Sequence, residues 1–191
     1  MVRHTLTTGA DVAGTTAGPV RDPRGAGSRP QPDTPAPGQE SVWGYPRPAV
    51  AEPSHRRIHI AHAGIVVADT DAAVRTIETS HPPSWYIPPD VITPGLLRPS
   101  TRRSFCEWKG EARYWHVEIG GQTFRDVGWS YPNPSPAFAI LRDHVAFYAA
   151  PFDLCAVDGE RVRPQPGGFY GGWITSDLAG PFKGVPGSMG W

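Results

Sequence analysis

The chain is short of several things, and each shortage closes a class of explanation. It has two cysteines, Cys106 and Cys155, each alone in its neighbourhood, so neither a disulfide framework nor a thiolate zinc site is signalled. It has no run of about 18 apolar residues, and the Met1 end lacks an apolar core before a small-residue cleavage site. The expectation is a cytoplasmic chain with no membrane partner. Charge of either sign is not in excess, with Lys+Arg 18 against Asp+Glu 18. The basic residues are scattered, so no basic stripe follows a phosphate backbone and nucleic acid is not the expected partner. Long amphipathic helices are absent from the pattern as well. Lysine itself is scarce, Arg outnumbering Lys sixteen to two, which makes Lys109 and Lys183 conspicuous.

What remains is enough for one domain. Pro (23) and Gly (22) crowd the two ends, which divides the chain. Residues 1–38 read as a disordered arm, with almost no large apolar side chains to offset the entropy of ordering them. Residues 39–56 read as an extended strap across the surface, anchored by Val42, Trp43 and Tyr45 on a stiff proline frame. Residues 57–164 carry the β-rich core domain, and 165–191 form a Gly- and aromatic-rich tail packed on its outside.

Within the core the periodicity is that of strands. Arg57 to Ala61 and Ile65 to Ala68 read as a hairpin, Val74 to Thr79 as a further strand, and His81-Pro82-Pro83 as a break before Trp85-Tyr86-Ile87. Arg113 to Ile119 alternates most clearly, placing Trp115, Val117 and Ile119 on one face and Tyr114, His116 and Glu118 on the other. Gly120-Gly121 turns it into the next strand. Phe138 to Leu141 reads as one helical turn, and Asp158-Gly159 as a tight turn. Short strands between turn signals predict a mainly β fold with minimal helix, either a small barrel or a two-sheet domain.

Six ordered motifs carry a resemblance. They are Glu40-Ser41-Val42-Trp43 with Tyr45-Pro46-Arg47-Pro48, Glu78-Thr79-Ser80-His81-Pro82-Pro83, Phe105-Cys106-Glu107-Trp108-Lys109-Gly110, Ala112-Arg113-Tyr114-Trp115, Trp129-Ser130-Tyr131-Pro132, and Val145-Ala146-Phe147-Tyr148. Together with Phe169 to Trp173 and Gly180 to Gly184, they resemble the domain-of-unknown-function 427 family, also catalogued under a nucleotidyltransferase-like label. The resemblance implies a small β-tent-like fold, akin to zinc-bearing exchange-factor-like domains, B-type methionine sulfoxide reductases and drug-binding aromatic cages. It implies no particular activity. No Gly-Ser pair followed by paired aspartates supports nucleotidyl transfer, and the missing Cys-x-x-Cys pairs leave no structural zinc to carry over.

Three readings of function follow from the residues. The leading one is a small-molecule-binding domain whose pocket is lined by Tyr86, Trp108, Arg113, Trp115, Trp129 and Tyr131, with Cys106 and Lys109 at its rim. Such rings suit a flat or cationic ligand, their hydroxyl and indole N–H groups fixing its orientation. The alternative to a cage is that the rings are simply core. The second reading is an enzyme in which Cys106 is nucleophile or redox centre, Lys109 favours its thiolate, and Glu78 or His116 handles the proton. Against it stands a plain buried cysteine with Glu107 and Lys109 solvated around it. Both lysines occur as aromatic-Lys-Gly, which suits an anionic ligand approached by the glycine N–H groups, or ordinary packing of lysine stems on rings. The third reading makes the strap and tail a protein-binding surface. No metal set emerges from His59, His62, His81, His116 and His144, and no cofactor is expected.

Overall fold

The computed structural model describes residues 29–191. The arm expected over 1–38 lies outside them as far as residue 28, and from 29 to 39 the chain has neither helix nor strand. The first strands in chain order are β1 (Glu40–Ser41), β2 (Val50–Pro53), β3 (Ile58–His62), β4 (Ile65–Thr70) and β5 (Val74–Glu78). Then come β6 (His81–Ile87), β7 (Leu97–Cys106), β8 (Gly110–Ile119), β9 (Gln122–Ser130) and β10 (Val145–Phe147). The last are β11 (Leu154–Val157), β12 (Glu160–Arg161), β13 (Arg163–Pro164), β14 (Trp173–Ile174) and β15 (Leu178–Ala179). Helix is confined to short 3-10 turns such as Pro136–Leu141.

The fold is mainly β with minimal helix. It is not a closed barrel: a seven-stranded sheet in the order β2-β5-β6-β10-β9-β8-β7 stands beside a four-stranded sheet in the order β12-β11-β3-β4. Every pairing within these two sheets is antiparallel, joined mostly by tight turns. One face of the large sheet presents Trp85, Ile87, Val117, Val145 and Phe147, which pack with Ile58, Ile60, Val67 and Val157 of the small sheet. Because side chains alternate along a strand, the other face presents Tyr86, Ala112, Tyr114, Trp129 and Ala146. That second face is covered in part by Phe138 and Leu141 of the Pro136–Leu141 turn.

Several details depart from the sequence pattern. β6 begins at His81 and runs through both prolines, where a break is expected. At that level its ladder partner is β5, with a register shift between Thr76 and Glu78, and β10 joins only at Tyr86, so the missing N–H groups are not needed. β7 is not announced by alternation because it is the outer strand of its sheet and most of its side chains are exposed. The strap is more than a surface cover: Val42 is fully buried, and β2 forms the other edge of the large sheet. The tail does not stay outside either, since Trp173 is buried in the core and its Nε1 donates to the Phe147 carbonyl at 2.9 Å.

The tail is seated through close backbone contacts at its glycines. Gly184 lies at φ +121, and a Cβ there would sit 2.0 Å from the Pro166 carbonyl oxygen, a backbone atom that cannot swing away. Gly184→Ala is therefore expected to cost roughly 2–4 kcal/mol in urea unfolding. Gly44→Ala, where a methyl meets nothing within 4 Å and φ is unstrained, should change stability by less than about 0.5 kcal/mol. Equal effects at the two positions would show that this seat is unimportant.

Candidate functional site

The half-covered face of the large sheet holds a cavity of about 450 Å³. Its floor is made by cross-strand neighbours: Tyr114 of β8 pairs with Trp129 of β9, which pairs with Ala146 of β10, which pairs with Tyr86 of β6. The polar tips of these rings are tied to one another. Trp129 Nε1 donates to Tyr86 Oη at 3.2 Å, Tyr114 Oη and Ser104 Oγ lie 3.0 Å apart, and Tyr131 completes the wall beside Tyr86. Burial foremost pushes the Tyr86, Tyr131 and Tyr148 phenols well above the ordinary tyrosine range, so all three stay neutral.

The mouth is assembled from chain segments far apart in sequence. Cys106 ends β7 and Lys109 occupies the turn into β8, whose register pairs Cys106 with Gly110. Ser135 pins that turn, its Oγ donating to the Trp108 carbonyl at 2.6 Å and its N–H to the Lys109 carbonyl at 3.1 Å. Lys109 Nζ then lies 3.9 Å from Cys106 Sγ and over the Tyr131 and Phe138 rings. Glu78 ends β5, and its Oε1 accepts from Arg47 Nη2 at 3.0 Å and Trp108 Nε1 at 3.2 Å. One carboxylate oxygen thus joins the strap, β5 and the β7–β8 turn. Burial works against the Glu78 charge, but His81, Arg47, Trp108 and Lys109 outweigh it and hold the carboxyl below its usual range.

His81, three residues on, is the opposite case. Burial chiefly, with Lys183, Arg47 and Lys109 adding to it against the pull of Glu78, lowers the imidazole from 6.5 to about 4. Its tautomer follows from Gln165, whose amide is oriented by two backbone groups: Oε1 accepts from Gly172 N–H at 3.0 Å and Nε2 donates to the Lys183 carbonyl at 2.8 Å. Gln165 Nε2 therefore also donates to His81 Nδ1 at 3.1 Å, leaving the proton on His81 Nε2. Lys183 enters from the tail, its Nζ donating to the Trp191 backbone oxygen at 2.9 Å. Phe169, Tyr170 and Gly171 close the remaining side. A Cβ on Gly171 would fall 2.1 Å from the Trp129 ring, so only glycine lets the tail lie flat on that indole.

Of the residues singled out from sequence, Cys106, Lys109, Glu78, Tyr86, Trp108, Trp129 and Tyr131 line this cavity. Arg113 and Trp115 do not. They face the other way and line a separate hollow of about 410 Å³ with Leu97, Arg103 and Pro132. The alternation was read correctly, but the ring that belongs to the cavity is Tyr114. His116 is also elsewhere, its Nδ1 accepting the N–H of Asp126 at 3.0 Å in the β9 bulge, where Asp126 has φ +56. It cannot serve Cys106. The glycine N–H groups expected to meet an anion are engaged, Gly184 donating to Ser188 Oγ at 2.8 Å and Gly110 lying opposite Cys106 in the β7–β8 ladder. Sequence reasoning missed Arg47, His81 and Gln165 as wall residues. Arg47 and His81 lie in the matched motifs, while nothing local marks Gln165.

Residues 50–158 match the model of a domain of unknown function, DUF427, also labelled NTP_transf_9. The chain belongs to the DUF427 family. A search of curated proteins finds no match. In this DUF427 chain, no three His, Cys, Asp or Glu side chains among the described residues group so as to hold a metal ion, and no helix among them is long and apolar enough to cross a membrane.

The buried His81 gives a pH signature with a fixed sign. Between about pH 6.5 and 4 the unfolded chain takes a proton that the native imidazole refuses, so stability is present above that window and falls as acid is added. A His81→Gln variant should show a shallower loss of urea stability across pH 6.5 to 4. An unchanged slope would mean that His81 titrates normally.

Proposed function

We propose that the cavity on the second sheet face binds a small molecule with a flat, ring-shaped body. The observation that carries this is the unfilled space itself: about 450 Å³ stays open beside Tyr86, Tyr114, Trp129, Tyr131 and Tyr148. Cavities of this size with apolar walls and a few convergent polar groups are the usual form of a ligand site. The free thiols of Cys106 and Cys155 suit a reducing, cytoplasmic setting.

Binding of 2-naphthol, a neutral flat probe, tests this by saturation-transfer NMR. Transfer is expected with the native chain and loss of it with Ser104→Trp, which fills the cavity from the edge strand. No transfer to the native chain, or undiminished transfer to the filled variant, would refute the reading.

A second reading, catalysis by Cys106, is favoured by the 3.9 Å approach of Lys109 Nζ to Sγ, since a neighbouring ammonium favours thiolate. It lacks a base: His81 keeps its proton on Nε2, Glu78 is engaged by Arg47 and Trp108, and His116 lies in the β9 bulge. Iodoacetamide at pH 7 separates the two readings. A binder should alkylate at Cys106 no faster than a free thiol, whereas tenfold faster modification would revive the enzyme. Cys155, whose thiol burial pushes up to about 12, serves as the inert internal standard.

A further inference from the structure

The chain has two lysines, at sequence positions 109 and 183, and both line the one cavity although they come from the β7–β8 turn and from the tail. Both are buried, at 9% and 7% exposure, which is unusual for a residue type that seeks water. Among the described residues neither has a side-chain carboxylate within 4 Å. Glu78 is engaged by Arg47 and Trp108 instead, and Glu107, the other acidic wall residue, is exposed.

The donors on these ammonium groups are largely unspent. Each has three N–H groups. Lys183 uses one on the Trp191 oxygen, and the polar contact of Lys109 is a 3.9 Å approach to sulfur. Buried cations with unused donors are costly unless something of opposite charge completes them. Arg47 adds to the same region, because its Nη1 lies 3.3 Å from the Trp191 oxygen that Lys183 also contacts. Two cations from opposite ends of the chain thus converge on a single oxygen, the geometry in which an oxyanion is held. Lys183, Arg47 and Lys109 also oppose a proton on His81, adding to the burial that chiefly lowers it, against the pull of Glu78.

We infer that the ligand of this cavity carries a doubly negative oxyanion head, which Lys109 and Lys183 neutralise at the mouth while its flat body lies on Trp129 and Tyr131. This rests on the ring-binding reading above and deepens it. Two lysines with no side-chain carboxylate within 4 Å among the described residues match a head with two negative charges, and Arg47, already paired with Glu78, orients rather than neutralises. A phosphate monoester and an aromatic dicarboxylate share this chemistry.

Isothermal titration calorimetry with a graded set of naphthalene probes tests the inference. The probes are 2-naphthyl phosphate, naphthalene-2,3-dicarboxylate, 2-naphthoate and 2-naphthol. One or both dianions should bind at least about tenfold tighter than the monoanion, the size of one charge-assisted contact. Whichever dianion binds tighter identifies the source of the charge. Lys109→Met and Lys183→Met, compared as folded proteins, should each erase the preference for dianion over monoanion. Lys183→Gln, which keeps a donor for Trp191, provides the folded comparison if the methionine variant is unstable, and it too should lose the preference. Equal affinity for 2-naphthoate and both dianions, with 2-naphthol still bound, would overturn the dianion and leave the ring site standing. Failure of every probe, 2-naphthol included, would overturn the ring site and this inference with it.

Discussion

Everything in this molecule follows from one sheet having two apolar faces. Its central strands carry large side chains on both sides, so alternation gives two surfaces that water disfavours. The small sheet packs on one of them, leaving at its margin the hollow beside Arg113 and Trp115. The other receives only a 3-10 turn, the β7–β8 turn and the tail, which together fall short of covering it. The cavity is the area these three pieces leave bare, and its walls are rings because the strands beneath were built for burial.

The polar groups at the mouth are ordered by the same economy of partners. Glu78 draws the strap and the β7–β8 turn to one carboxylate oxygen, and Gln165 uses every atom of its amide to fix His81, Gly172 and Lys183. Such buried polar networks impose a single arrangement because any slip strands a donor. The lysines stand apart from this rule. Their ammonium groups lie over the Tyr131, Phe138 and Tyr170 rings rather than against a carboxylate.

Much of this was legible in the residues, and the failures have physical causes. The hairpin turns at Gly120-Gly121 and Asp158-Gly159 announce themselves because positive φ demands glycine, and all but Asp158 of these four are glycines at φ above +50. The clustering of Cys106, Lys109 and Trp108 could be read from a three-residue turn. The choice of face could not. Period 2 says that Tyr114 and Trp115 point apart, yet both are aromatic, so nothing local tells which one meets the second sheet. His116 misled for a related reason: the bulge at Asp126 reroutes the strand, and a positive φ at a non-glycine residue leaves no mark in the pattern. Gln165 reaches His81 across 84 positions and Arg47 reaches Trp191 across 144, distances over which periodicity is silent.

The segment by which the family is recognised, residues 50–158, is narrower than the object that nature folds. Arg47 precedes it, and Gln165, Tyr170, Gly171 and Lys183 follow it, although each of them borders the cavity. A fragment trimmed to the recognised span would keep the large sheet yet lose β12 from the small one and Trp173 from the core. In this chain the wall of the cavity is therefore completed by the strap and the tail, outside the recognised span.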